Sequence, residues 1–167
     1  MNYLKCIFSI AILGSLYCCS SGEKEIPLED IDEDFKILAN QNAHHILNLC
    51  RDEEALHKFK ERSSTKMKMQ DVTGKQFLLC LVYKSDVSSI ELGELYKVIR
   101  LKGNVKRFKY KLKIKSDTYK EILLFLDLNA DKFIANYAFY GKTEEGVWDS
   151  LLDKKEVIIK KSFKEAS

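Results

Sequence analysis

The stretch VKRFKYKLKIK, residues 105–115, decides how this chain folds. Apolar and basic residues alternate through it almost without a break. Successive side chains of a β-strand point to opposite faces. An extended chain here therefore puts Phe108, Tyr110, Leu112 and Ile114 on one side and Arg107, Lys109, Lys111, Lys113 and Lys115 on the other. Burying a large apolar side chain is worth about 1.5–3 kcal/mol, while burying an unpaired lysine costs on the order of several kcal/mol. The ring-bearing side must go to the core and the cations to water. A slip of one residue would invert all of them, so the register is fixed by the pattern itself.

The flanking sequence carries the same signal. Residues 93–101, 105–115, 119–128 and 133–140 read as strands, with Gly141 closing the last. Gly103-Asn104, Ser116-Asp117 and Asn129-Ala130-Asp131 read as turns. Connections this short favour an antiparallel meander. Upstream, Ile31, Phe35, Leu38, Asn42, His45, Ile46 and Leu49 recur at spacings of three and four, a helical stripe running to about Cys50. The acids from Glu29 to Asp34 complement the dipole at its start. Ala55, Leu56, Phe59 and Arg62 mark the inner side of a second helix. Residues 76–83 (QFLLCLVY) are apolar throughout, and periodicity does not separate a buried strand from a short helix there. In the tail, Trp148, Leu151, Leu152 and then Val157, Ile158 and Ile159 predict a short docked helix and a final extended piece.

Helices followed by a run of strands give an α+β domain, with N-terminal helices packed on a curved antiparallel sheet of four or more strands. The order of elements over residues 29–142 resembles the nuclear transport factor-like (cystatin-like) fold, a layout shared by several bacterial lipoprotein families. There an N-terminal helical pair lies in the cradle of a curved antiparallel sheet. The resemblance implies a fold and no chemistry. The cradle positions it selects are Phe108, Tyr110, Leu112 and Ile114, joined by either Phe133, Tyr137 and Phe139 or Ile134 and Tyr140. All of these suit a core or an apolar pocket.

The first residues are an address rather than part of the domain. Lys5 precedes an apolar core of about ten residues, the length of a signal-peptide core and too short for a membrane span of about 20 residues. Leu16-Tyr17-Cys18-Cys19-Ser20 follows. This resembles a bacterial lipobox, with Leu16 three positions before the acylated Cys19. Placing the acyl chain on Cys18 instead puts the bulky Tyr17 at the preceding position. The resemblance implies a signal peptide over residues 1–18, a tether over 19–28 and one domain over 29–167. It also implies a membrane partner reached through acylated Cys19. Ser20 and Ser21 in place of Asp after the cysteine imply, by resemblance to enterobacterial sorting, the outer membrane. Cys50 and Cys80 remain in the mature chain. Export permits a disulfide between them, and their apolar flanks equally suit two buried thiols.

Composition sets further bounds. The chain has 167 residues, of which 32% are charged and 46% hydrophobic, enough for one domain with a real core. The net charge of +3 does not by itself define a nucleic-acid binder. Nine cations and no acid occur from Lys97 to Lys115, however. They are read as a solvated face that also guards a sheet edge. A second reading is a surface for anionic lipid, lipopolysaccharide phosphate or an acidic protein, centred on Arg107, Lys109, Lys111, Lys113 and Lys115. A third has the acidic segment 23–34 folding over them. Nucleic acid is disfavoured, because the rings of this strand point away from its cations and make no stacking platform.

No catalytic signature is present. His44 and His45 are adjacent, so they diverge on a helix, and His57 lies beyond a break. No zinc-type spacing, phosphate loop or nucleophile elbow occurs, and neither a metal nor a cofactor is expected. Asp127, at a strand end, reads as a turn cap. Tyr96, Tyr110, Tyr137 and Tyr140 are candidates to line a small apolar pocket. The reading is a non-enzymatic, lipid-anchored envelope protein that binds or scaffolds. The alternative is a carrier or enzyme using a cavity between helices and sheet.

Overall fold

The computed structural model describes residues 23–69, 80 and 89–151. The segment read as a signal peptide, Cys18, Cys19, most of the 76–83 run and the tail from Leu152 lie outside the described residues.

The 105–115 stretch is a strand, and the chain on both sides folds around it. Strands β1 (Lys24–Ile26), β2 (Ser89–Arg100), β3 (Lys106–Lys115), β4 (Tyr119–Leu128), β5 (Ile134–Thr143) and β6 (Trp148–Ser150) form one antiparallel sheet in sequence order. The sheet curls into a half-barrel. Among the described residues three helices accompany it, α1 (Glu33–Asn48), α2 (Glu53–Arg62) and α3 (Thr65–Met69). The fold is therefore α+β with a curved antiparallel sheet. The helices do not simply precede the sheet, because β1 comes before them and closes one edge against β2, with Lys24 opposite Arg100. The segment read as a tether, residues 19–28, thus contains a structural strand.

The faces divide as the alternation requires. Phe108 and Tyr110 are fully buried and Leu112 nearly so, while Lys111, Lys113 and Lys115 are exposed. Neighbouring strands contribute in register. Val98 and Leu126 flank Phe108, and Leu95 and Leu124 flank Tyr110. Helix α1 lies on this inner face through Phe35, Ala39, Asn42, Ala43, Ile46 and Leu47. Phe35 stacks on Phe108, with ring centroids 5.6 Å apart. The small Ala39 and Ala43 let the helix sit close to the sheet. The first turn of α1 begins later than its acids suggest. Residues Leu28–Asp30 make a short 3-10 turn, and Asp32 caps the helix by accepting a hydrogen bond from the Phe35 amide at 3.1 Å.

Bulges account for the places where simple alternation fails. The β2–β3 register shifts between Leu92 and Leu95 and again between Leu95 and Lys97. Gly93 sits in this irregular stretch, where a Cβ would overlap the Lys111 carbonyl oxygen. A further shift between Asp127 and Leu128 changes the phase of β5. Ile134, Tyr137 and Phe139 all point inward, whereas Phe133 is 41% exposed and Tyr140 lies on the outer face. Neither of the two cradle sets read from the sequence is therefore correct as a set. Strand β5 also runs through Gly141 to Thr143, so the glycine does not end it. Gly141 instead makes room for the Tyr119 ring and the Leu151 side chain.

Two buried tyrosines give a direct check on this packing. The Tyr110 hydroxyl donates to Asn40 Oδ1 at 2.9 Å, while the Tyr137 hydroxyl is buried with no hydrogen-bond partner among the described residues. Burial pushes both phenols above their usual pKa. Tyr110→Phe loses a bond worth about 1 kcal/mol, whereas Tyr137→Phe removes an unsatisfied group and costs nothing or stabilises. Chemical denaturation of the two variants should give midpoints that move down for the first and stay or rise for the second.

Candidate functional site

The outer face of the sheet carries the basic row, and cross-strand registration puts acids and rings among its cations. Arg107 faces Asp127 across β3 and β4. Its Nε donates to Asp127 Oδ1 at 2.7 Å and its terminal nitrogen to Oδ2 at 2.8 Å, a bidentate pair. Asp127 is only 5% exposed, and its bond is the main reason that the Arg107 pKa is held above the usual value. Asp127 is the counter-ion of the basic row and not a turn cap. Lys111 pairs with Glu121 at 3.3 Å, and Lys97 pairs with Glu25 from β1. Glu91 stands opposite Lys113. Arg107, Lys111 and Lys97 are therefore compensated by carboxylates of other strands. Part of the compensation comes from the N-terminal acidic segment, in the manner of the third reading of the row.

Lys109 and Lys142 differ from these. Neither makes an ion pair among the described residues, and each ammonium lies over an aromatic ring. Lys109 sits 4.4 Å from the centroid of Phe125, and Lys142 sits 5.7 Å from that of Trp148. Burial, followed by the neighbouring Arg107 and Lys97 charges, lowers the Lys109 pKa.

The rings on this face come from β2, β4, β5 and β6. Tyr96, Lys109, Leu123, Phe125, Tyr140 and Trp148 line one shallow groove of about 400 Å³. Phe125 and Tyr140 form its floor, with centroids 4.8 Å apart and planes tilted by 43°. Tyr96 and Trp148 remain 36% and 43% exposed. Rings and cations do part company within β3, but across the sheet they meet, so a stacking surface exists after all. Of the four tyrosines read as pocket-lining, Tyr96 and Tyr140 belong to this groove, and Tyr110 and Tyr137 belong to the core. No single-strand pattern could have revealed the groove, since its members are neighbours only through β-pairing.

The centre of the inner cradle is filled: Phe108, Tyr110, Leu124, Leu126 and Phe139 are completely buried. At its edge, between α1 and β2, a second cleft of about 300 Å³ is lined by His44, Leu47, Asn48, Ile90 and Glu91 among others. His45 is partly buried, and desolvation, then Lys58, lowers its pKa. His57 Nε2 lies 3.3 Å from Glu61 on α2. Among the described residues no group of three or more His, Cys, Asp or Glu side chains is placed to hold a metal ion, and no helix is long and apolar enough to cross a membrane. Cys50 and Cys80 are joined by a disulfide, with Cα atoms 5.4 Å apart. The bridge ties the end of α1 to the segment before β2.

Comparison with known proteins finds no matching family, no matching curated protein and no matching solved structure. Function must therefore be argued from the groove and the charges around it.

Proposed function

We propose that this chain is a lipid-anchored bacterial envelope protein, held at the outer membrane through acylated Cys19, that works by binding and not by catalysis. Its contact surface is the outward face of the sheet around Arg107, Lys109, Lys111, Lys113 and Lys115, and its partner is an anionic component of the envelope. The resemblance to nuclear transport factor-like lipoproteins belongs to the same proposal.

The observation that carries the reading is the contrast between the two faces. The centre of the inner one is packed with rings beneath α1, and its cleft lies at the β2 edge, between His44, Leu47 and Asn48 of α1 and Ile90 and Leu92. The outer one leaves Trp148 and Tyr96 in solvent beside cations, and exposed apolar groups gathered in a patch mark interaction surfaces.

The anchor has a geometric consequence. Only four residues, 20–23, separate Cys19 from β1. A fully extended leash of that length reaches about 17 Å. The corner of the sheet at Lys24 and Arg100 then lies within that reach of the acylated cysteine.

Two measurements test the proposal. In Cys19→Ala, the protein should move from the membrane to the soluble fraction and stop partitioning into detergent; unchanged fractionation would sink the anchor. Binding to lipopolysaccharide should weaken with salt, as attraction between exposed charges does, and should fall at least tenfold in a Lys109→Glu/Lys111→Glu/Lys113→Glu variant. Equal binding by that variant removes the basic face from the proposal.

A further inference from the structure

We propose that the outward groove of Tyr96, Lys109, Leu123, Phe125, Tyr140 and Trp148 is a binding site for an acidic glycan, a saccharide whose sugar rings lie on the aromatic floor and whose carboxylate or phosphate groups meet Lys109 and Lys142. This deepens the reading of the outward face as a contact surface and rests on it.

Three features select this ligand class. The first is shape. The groove is shallow and open, floored by the tilted Phe125–Tyr140 pair and rimmed by Trp148 and Tyr96. Such a floor suits a flat, rigid ring with one apolar side and a polar periphery, as a pyranose has. A flexible acyl chain gains most from an enclosed pocket, which this is not.

The second feature is the distribution of charge. Arg107, Lys111 and Lys97 are committed to Asp127, Glu121 and Glu25. Lys109 and Lys142 make no ion pair among the described residues, although Glu121 stands opposite Lys142, and each ammonium lies over a ring. On β4 their backbone partners are Phe125 and Glu121, four positions apart, so the two residues sit roughly 13 Å apart along the strands and about 10 Å apart across them. Two cations that far apart can meet two anionic groups separated by a few sugars of one saccharide chain. They do not fit a nucleic-acid strand, whose affinity comes from many phosphate contacts. The compensated row would oppose such a strand with the Asp127 and Glu121 carboxylates.

The third is position. The groove runs from β2 to β6, and its Trp148 end lies opposite Lys142 and Glu121. That end is about 23 Å along the sheet from the level of Arg100 and about 24 Å across it from β1. It is the corner farthest from Lys24, where the leash enters. On the anchored reading the leash enters at the opposite corner, so the groove is the part of the sheet farthest along it from the tether.

Trp148 is the single tryptophan of the chain, so its fluorescence reports on the groove directly. The mature full-length protein in a neutral detergent is titrated with oligogalacturonate, a phosphomannan oligosaccharide, neutral maltohexaose, oligo-dT and phosphatidylglycerol vesicles. At least one of the two acidic glycans should shift Trp148 emission saturably and bind at least tenfold tighter than maltohexaose. The Lys109→Gln/Lys142→Gln variant should lose at least tenfold of that affinity by calorimetry, with its circular dichroism unchanged. Tyr96→Ser should weaken it as well, and Lys60→Gln on α2 should not. The site is overturned by silence toward both acidic glycans, by equal binding of maltohexaose, or by full retention of affinity in the double lysine variant. Tighter binding of oligo-dT or of the vesicles also overturns it. Vesicle binding that depends on Lys111 and Lys113 but not on Lys142 would leave the broader contact-surface proposal standing and remove only the glycan groove.

Discussion

Replacing Cys80 by Ser is expected to lower the stability of the domain by about 3–4 kcal/mol. The bridge spans a sequence separation of 30 residues, and most of its effect is on the unfolded chain, which loses the freedom of that loop when cross-linked. Cys50 follows the last turn of α1 and packs against the core. Releasing it also frees the end of the helix that covers the sheet. The loss corresponds to a fall in melting temperature of roughly 10 °C for a domain of this size. Reduction of the wild-type protein should reproduce it, and Cys50→Ser/Cys80→Ser should match either single variant. A melting temperature within a degree or two of wild type would show that the bridge does not form in the native protein. A disulfide persists only in an oxidising compartment, so the same measurement bears on export.

The second large effect is at Phe108. This ring is fully buried, stacks on Phe35, and stands in register with Val98 and Leu126. Truncation to Ala removes its buried area and leaves a cavity between sheet and helix that the strands cannot collapse to fill. The expected cost is about 3–5 kcal/mol. Lys113→Ala, on the exposed side of the same strand, should change stability by no more than about 0.5 kcal/mol. Urea denaturation of both variants gives the comparison. Similar losses at the two positions would mean that β3 does not separate a dry face from a wet one.

The period of two from Val105 to Lys115 was enough to orient β3, and with the turn residues around it, to lay out a meander whose third strand, Tyr119–Leu128, begins and ends where the sequence places it. Helix α1 was legible for the same reason, a stripe at spacings of three and four. What was not legible depends on contacts between segments. A bulge changes the facing of every residue beyond it without altering the alternation on either side. That is why Ile134 and Tyr137 share a face despite an odd separation. The acids that neutralise the basic row, Asp127, Glu121 and Glu25, lie on other strands, and a linear scan of residues 97–115 sees only cations. Strand β1 is three residues long, too short for any periodicity, and its acidic neighbourhood reads as a tether. The aromatic groove is assembled from four strands, none of which announces it alone.

Thiol accessibility along β3 reads the division of faces directly. Single substitutions Phe108→Cys, Lys109→Cys, Tyr110→Cys, Lys111→Cys, Leu112→Cys and Lys113→Cys, with the Cys50–Cys80 bridge intact, are exposed to a water-soluble maleimide under native conditions. Positions 109, 111 and 113 should label rapidly, and 108, 110 and 112 should stay protected until the protein unfolds. Uniform labelling, or protection at the odd-numbered positions instead, would contradict a sheet that hides its rings on one side and shows its lysines on the other.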